Sequence, residues 1–232
     1  MPASAGLVYD TSLAAPGVYY GTGNGGTNSH WAVDKETGVE LGLQPLIRYT
    51  GPVTPTGNVY DVALGNTTVA GKQGSLWGFA FSVNSTPNLL SGLTLSISIT
   101  DELFGNTVTF DPSTIPDNAG TDGTNTVGGS NGCNANATSA CEPTTQTGIQ
   151  NAETLSFTNG VASVFDPNYD SALDDTWLIT LTASNAGVTV GQVSAIVNAG
   201  LGAPVPEPSS MALLGAGLLG LAACRRRWTR SI

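Results

Sequence analysis

The sequence predicts an all-β fold: a two-sheet antiparallel β-sandwich, jelly-roll or immunoglobulin-like, with long polar loops and a single C-terminal transmembrane helix. Three observations predict it. Apolar and hydroxyl residues alternate strictly in the clearest segments, many short segments are separated by Gly, Pro, Asn and Asp turns, and helical periodicity is nearly absent before residue 205. With 30 Gly, 13 Pro and only 10% charged residues, the 232-residue chain fits one β domain better than a helical one.

The run from Leu93 to Thr100 alternates Leu or Ile with Thr or Ser without a break, the period of a strand with one face on a core. Trp77, Phe79, Phe81 and Val83 share a face in the same way, as do Trp177, Ile179, Leu181 and Ala183, and these three runs are the expected core. Shorter strands are expected at 6–10, 17–20, 30–33, 38–43, 46–49, 59–64, 107–110, 155–158, 161–165 and 188–197. A closed barrel is the alternative closure. Between Asp111 and Ala152 the alternation breaks down into a polar segment, read as a partly ordered loop insertion, with an interaction surface as the second reading.

Cys133 and Cys141 lie inside that insertion. In an oxidising compartment they pair, a staple contributing about 2 to 3 kcal/mol by loop entropy. Metal binding is the rival, but two Cys with no nearby His make a poor zinc site. Cys224 is the odd one out.

The organisation is therefore 1–5, 6–204 as the β domain with insertion 111–152, and 205–232 as a separate tail. Residues 1–204 carry sixteen acids against three bases, Lys35, Arg48 and Lys72, a net of −13. Such a surface repels phosphate, so nucleic acid is excluded as a partner. It suits a solvated protein that meets divalent cations.

The tail has three parts in order. Val205, Pro206, Glu207 and Pro208 form a stiff, extended peptide, because each proline fixes its own φ and biases its predecessor away from helix. From Met211 to Cys224 there is only Met, Ala, Leu, Gly and the final Cys, and a membrane helix is expected over 210–224. Fourteen residues span about 21 Å against a hydrocarbon core of about 30 Å, so length alone favours a buried soluble helix. Against that, Arg225, Arg226 and Arg227 follow at once, and clustered cations hold one end of an apolar span on the cytoplasmic side. Ala212, Ala216, Gly220 and Cys224 recur every fourth residue, a flat strip for a neighbouring helix or simply an Ala/Gly-rich span.

This order of parts resembles the PEP-CTERM sorting signal of Gram-negative bacteria, over Val205 to Ile232. The resemblance implies handling by an exosortase, an integral-membrane enzyme resembling cysteine proteases. Pro206, Glu207 and Pro208 are then the recognition residues, Met211 to Cys224 a transient membrane anchor and Arg225 to Arg227 the stop. It also implies export to the cell surface or into an exopolysaccharide matrix. Trp228 to Ile232 extend beyond the family's usual end without altering the tag. Such a tail calls for a secretory signal, and Ala3-Ser4-Ala5 reads as the remnant of an A-x-A cleavage site with the true start upstream. Chance also supplies such tripeptides in an Ala-rich chain.

Candidate chemistry is thin, and no enzyme is expected. His30 has no second His to share a metal, and no Gly-x-Ser-x-Gly elbow is present. Gly21 to Gly26 lacks the Lys of a phosphate loop and reads as a turn. The best site is Asp166, Asn168, Asp170 and Asp174, whose alternating oxygen donors suit calcium, the one cofactor considered. Ser171 and Trp177 stand where an EF-hand has Gly and Glu, and an Asx turn feeding the Trp177 strand is the plainer reading. Tyr19, Tyr20, Trp31, Tyr49, Tyr60 and Tyr169 are sugar-stacking candidates, though sandwich cores use most such residues for packing. The adjacent pairs Asp101-Glu102 and Asp174-Asp175 show nothing of the fixed carboxyl separation that glycosidases need. Two functions follow: an exported structural protein of the cell surface or matrix, associated with exopolysaccharide or biofilm, and a lectin-like or glycan-hydrolysing module sharing its route.

Overall fold

The alternating rows foreseen in the sequence pack against one another across two sheets. In the computed structural model the described residues are 6–14, 17, 26–36, 38–85, 87–114, 118–121, 124–127, 147–157 and 164–202. Among them, thirteen strands run in chain order: β1 (Val8–Thr11), β2 (Trp31–Glu36), β3 (Val39–Ile47), β4 (Gly51–Pro52), β5 (Val59–Val62), β6 (Trp77–Asn84), β7 (Thr94–Asp101), β8 (Asn106–Phe110), β9 (Asn118–Thr121), β10 (Thr124–Val127), β11 (Gly148–Thr154), β12 (Asp175–Asn185) and β13 (Val188–Ala199). The first sheet is ordered β1-β2-β3-β6-β11-β9-β10 with β4 on β3, and the second β5-β13-β12-β7-β8. Every pairing is antiparallel except the edge pair β5 and β13, which is parallel, so the second sheet is mixed rather than purely antiparallel as expected.

The core lies between the sheets. Leu41 and Leu43 of β3 and Phe79, Phe81 and Val83 of β6 meet Ile97 and Ile99 of β7, Ile179 and Leu181 of β12, and Val193, Ala195 and Val197 of β13 in one buried cluster. Register keeps the rows aligned, with Leu43 opposite Phe81, Ile99 opposite Ile179 and Leu181 opposite Val193. At one end Trp77 and Trp177 bridge the sheets with ring centroids 5.0 Å apart.

The outward rows of the second sheet are hydroxyl-rich and uncharged. Thr100 meets Thr107 at 2.9 Å, Thr180 meets Ser194 at 2.9 Å, and the Gln192 amide donates to Thr182 at 3.0 Å. Ser98 lies between Thr109 and Thr180 in register. Across β8, β7, β12 and β13 this face presents no charged side chain until Asp61 on β5, which accepts from Asn198.

The first sheet departs from simple alternation because its middle strands are buried on both faces. Leu13, Trp31, Val33, Leu46 and Ala80 form a second cluster on the side away from the main core. Residues around Thr27 cover that side, where the Thr27 carbonyl accepts from Trp31 Nε1 at 2.9 Å and from Gln44 Nε2 at 2.8 Å. This explains why the expected strands 38–43 and 46–49 are one strand. Gln44 is buried with partners, and Pro45 falls between the β2 and β4 pairings, where its carbonyl accepts from Val53 N at 3.0 Å at the ragged edge of the sheet.

Several expected boundaries are corrected. The supposed insertion 111–152 contains β9 and β10 and most of β11, and β11 is an interior strand between β6 and β9. Its buried Gln150 donates to Gly17 O at 2.8 Å and to Ser82 Oγ at 3.0 Å, so polar residues occupy positions where an apolar signal was sought. The strand expected at 155–158 ends instead at Thr154. Val164 and Phe165 form a bend, the described part of the strand expected at 161–165. Among the described residues no helix is long and apolar enough to cross a membrane. The expected membrane helix 210–224, residues 205–208, Arg225 to Arg227, Cys133, Cys141 and the A-x-A site all lie outside the described residues.

Gly78 of β6 is required by close approach, since a Cβ there would stand 2.2 Å from the Glu153 carbonyl oxygen of β11. Gly78→Ala is expected to cost about 3 kcal/mol in denaturant unfolding, whereas Gly92→Ala, which meets nothing within 4 Å, should change stability by less than about 0.5 kcal/mol.

Candidate functional site

Continuing the core-facing row of β7 through Leu95, Ile97 and Ile99 leads to Asp101, and running back along β12 from Leu181 through Ile179 and Trp177 leads to Asp175. The period of two therefore aims two carboxylates into the interior at the same end of neighbouring strands. Asp101 pairs in register with Trp177, which puts Asp175 on the diagonal. Asp166, in the loop before β12, joins them. The three are 2, 2 and 3% exposed for Asp101, Asp166 and Asp175, and each offers an oxygen within 4.8 Å of the others.

Local backbone fixes their orientation. Asp101 Oδ1 accepts from Phe104 N at 2.8 Å, inside the turn that leads to β8. Asp175 Oδ1 accepts from Leu103 N at 3.2 Å and from Thr176 N. Asp166 Oδ1 accepts from Asn168 N at 2.9 Å, and its Oδ2 accepts from Trp177 Nε1 at 2.9 Å. Asp101 Oδ2 is buried and has no hydrogen-bond partner. Phe165 and Tyr169 close the loop over this end, with Phe165 edge-on to Phe79 at 6.2 Å and Tyr169 6.0 Å from Trp177.

In so dry a place Asp166 and Asp175 resist ionisation. Burial pushes the Asp175 carboxyl up to about 7, helped by the charges of Asp101 and Asp166 and opposed by the Thr176 and Leu103 amides. Burial also raises Asp166, against the lowering bonds from Trp177 and Asn168. The arrangement can bind protons or a small cation. It is closed to a polysaccharide, so it is no glycosidase pair.

The sequence singled out Asp166 but gave it other companions. Asn168 contributes its backbone N–H to Asp166, Asp170 Oδ1 accepts from Ala172 N at 2.9 Å on an exposed turn, and Asp174 Oδ1 accepts from Leu201 N at 3.0 Å. The first two are turn-forming bonds, and the third ties the start of β12 to the end of β13, 27 residues away. Asp101 and Asp175, set aside as background, are the partners the fold supplies, and the signal that finds them is the core-row alternation running into a carboxylate.

His30 lies on the other side of the fold and bonds through Nδ1 to Asp10 Oδ1 at 2.6 Å, with both side chains partly exposed. Both residues have left-handed backbone, φ 60° and 55°. An open groove of about 650 Å³ beside them is lined by His30, Ile47, Val53, Asp61 and Leu76, and Asp61 is the one carboxylate among its described lining residues. Of the aromatic candidates, Trp31, Tyr60 and Tyr169 are packed inside. Tyr49 is half-buried with Arg48 and Lys72 5.0 and 5.5 Å from its ring centre. Tyr19 and Tyr20 lie outside the described residues.

Because the folded-state pKa of Asp175 lies above the ordinary carboxylate value of about 3.9, the folded chain holds that proton more tightly than the unfolded one. Its contribution to stability is full below about pH 4, declines as pH rises and is lost above about 7. In chelator, denaturant unfolding of the chain should show this decline between pH 4.5 and 8, and Asp175→Asn should flatten it. Identical slopes for both proteins would refute the assignment.

No curated protein and no solved structure matches the chain. One family model does match: the tail that follows the end of β13 fits the PEP-CTERM protein-sorting motif over residues 204–227.

Proposed function

We propose that this is a non-enzymatic structural protein of the cell surface or extracellular matrix, held transiently at the membrane by its tail and processed by an exosortase near Pro206, Glu207 and Pro208. It then associates with exopolysaccharide in a biofilm. The observation that carries the sorting half is the motif match over residues 204–227, which implies export with an exosortase as processing partner. The apolar run after the motif and the three arginines that follow supply the anchor and its inward-facing end.

The matrix half rests on the outward face of the second sheet. On a domain with a net charge of −13, an uncharged surface of Thr, Ser, Gln and Asn around the apolar pair Leu178 and Ile196 is the part best suited to lie along a neutral, hydroxyl-rich polymer. Hydroxyls donate and accept alike, so such a face meets sugar hydroxyls without burying an unpaired charge. The second reading, a sugar-directed module, is favoured by the groove beside His30 and Asp61. Hydrolysis of a polysaccharide by the purified chain would select it.

Mass spectrometry of native protein should find the mature C-terminus at or before the motif, with residues 211–232 gone, and Glu207→Ala should leave an intact, membrane-retained chain. Soluble native protein that runs intact to Ile232 would end the sorting reading. For the matrix contact, Ser98→Glu combined with Thr180→Glu should lower co-sedimentation with native exopolysaccharide about tenfold while costing less than about 1 kcal/mol of stability, and unchanged co-sedimentation would remove this face from the interaction.

A further inference from the structure

We propose that Asp101, Asp166 and Asp175 form a structural calcium site that locks the loop before β12 onto the end of the second sheet. The three carboxylates come from three separate chain segments and converge from the β7 terminus, the 164–174 loop and the β12 start. Each offers an oxygen within 4.8 Å of the other two. Three oxygens this close can all reach a calcium ion at about 2.3–2.6 Å in its flexible coordination, whereas magnesium demands near-ideal octahedral geometry. An all-oxygen donor set selects a hard cation over zinc or copper.

The second observation is the orphaned oxygen. Asp101 Oδ2 is buried with no hydrogen-bond partner, although Oδ1 of the same carboxylate is held by Phe104 N. Neither Asp101 nor Asp175 has an ion-pair partner among the described residues. A buried acceptor left bare is costly, and a cation beside it satisfies it. The bonds from Phe104, Leu103 and Thr176 each engage Oδ1 of their carboxylate and so aim Oδ2 of Asp101 and Asp175 elsewhere, the kind of outer support that orients metal ligands. Asn168 N and Trp177 Nε1 each hold one oxygen of Asp166 and fix its plane, leaving the second lone pair of each oxygen for the cation.

What the ion joins is specific. Without it, the loop is held by the Trp177 indole on Asp166, by backbone amides and by the Phe165 and Tyr169 rings. With it, the acids' mutual repulsion becomes cross-linking. An affinity of about 10⁻⁴ to 10⁻³ M, typical of extracellular modules, is enough for a site whose role is structural.

The test uses the full chain in detergent, stripped with chelator and titrated with calcium chloride. Thermal unfolding and tryptophan emission are followed, since Trp177 touches Asp166 directly. A saturable rise in Tm of about 5 °C is expected, half-complete between about 0.1 and 1 mM, with less than half that rise in equal magnesium. Asp101→Asn and, independently, Asp175→Asn should abolish the rise while unfolding in chelator no earlier than the wild type, because each removes a repelling charge. Asp170→Asn and Asp174→Asn should keep the rise. No rise in the wild type, or one that persists in Asp101→Asn and Asp175→Asn, overturns the site. An equal rise in magnesium overturns the choice of calcium.

Discussion

Trp177 is where the constraints of this fold meet. Its ring lies against Trp77 of the opposite sheet and against Tyr169 of the covering loop, and its indole N–H is committed to Asp166. Rings of this size bury on the order of 200 Å² each, about 5 kcal/mol of gross transfer energy per ring. That anchor fixes the register of β12 between β7 and β13, and register decides which side chain of every later residue faces inward. Asp101 stands directly opposite Trp177 and Asp175 one inward position further along, so the indole holds the acid cluster in place as firmly as it holds the core.

Charge is distributed unevenly over the two sheets. The second sheet carries two acids at one end of its buried face, joined there by Asp166 of the loop before β12, and none along the outer rows of β7, β8, β12 and β13. Burying a carboxylate costs several kcal/mol unless it is compensated, so concentrating three at one end confines that cost to a place where loop amides and one indole can offset part of it. The remaining rows are free to be hydroxyl outside and aliphatic inside. The first sheet solves a different problem, with both faces covered in the middle and buried Gln44 and Gln150 each paired to backbone carbonyls of the covering segments.

The rows that alternate cleanly were readable from the residues alone. Leu93 to Thr100, Trp77 to Val83 and Trp177 to Ala183 are strands at the heart of the core, because one face is apolar and the other polar. Where both faces are buried, the period of two carries no contrast, so β3 was split at Pro45 and β11 was lost among polar residues. The site was half legible for a related reason. Asp166 stands out through its Asp and Asn neighbours, of which Asp170 holds a turn and Asp174 reaches Leu201 N, while Asp101 and Asp175 show only as members of adjacent acidic pairs because they meet through a cross-strand register that no local spacing encodes.

The exit of the chain from the fold has a geometric corollary. β13 ends at Ala199, beside Asp175, and the backbone is tied down as far as Gly202, whose N–H donates to Ala199 O at 3.1 Å. Eight residues separate Gly202 from Met211, a leash of at most about 30 Å. On the proposed anchoring, Gly202 lies within that reach of the membrane, and an enzyme that reads Pro206, Glu207 and Pro208 works inside it. On the same reading the β body is a steric filter on its own release: bulk added near the end of β13 would shield the cut site, whereas bulk added to the far loops would leave it accessible.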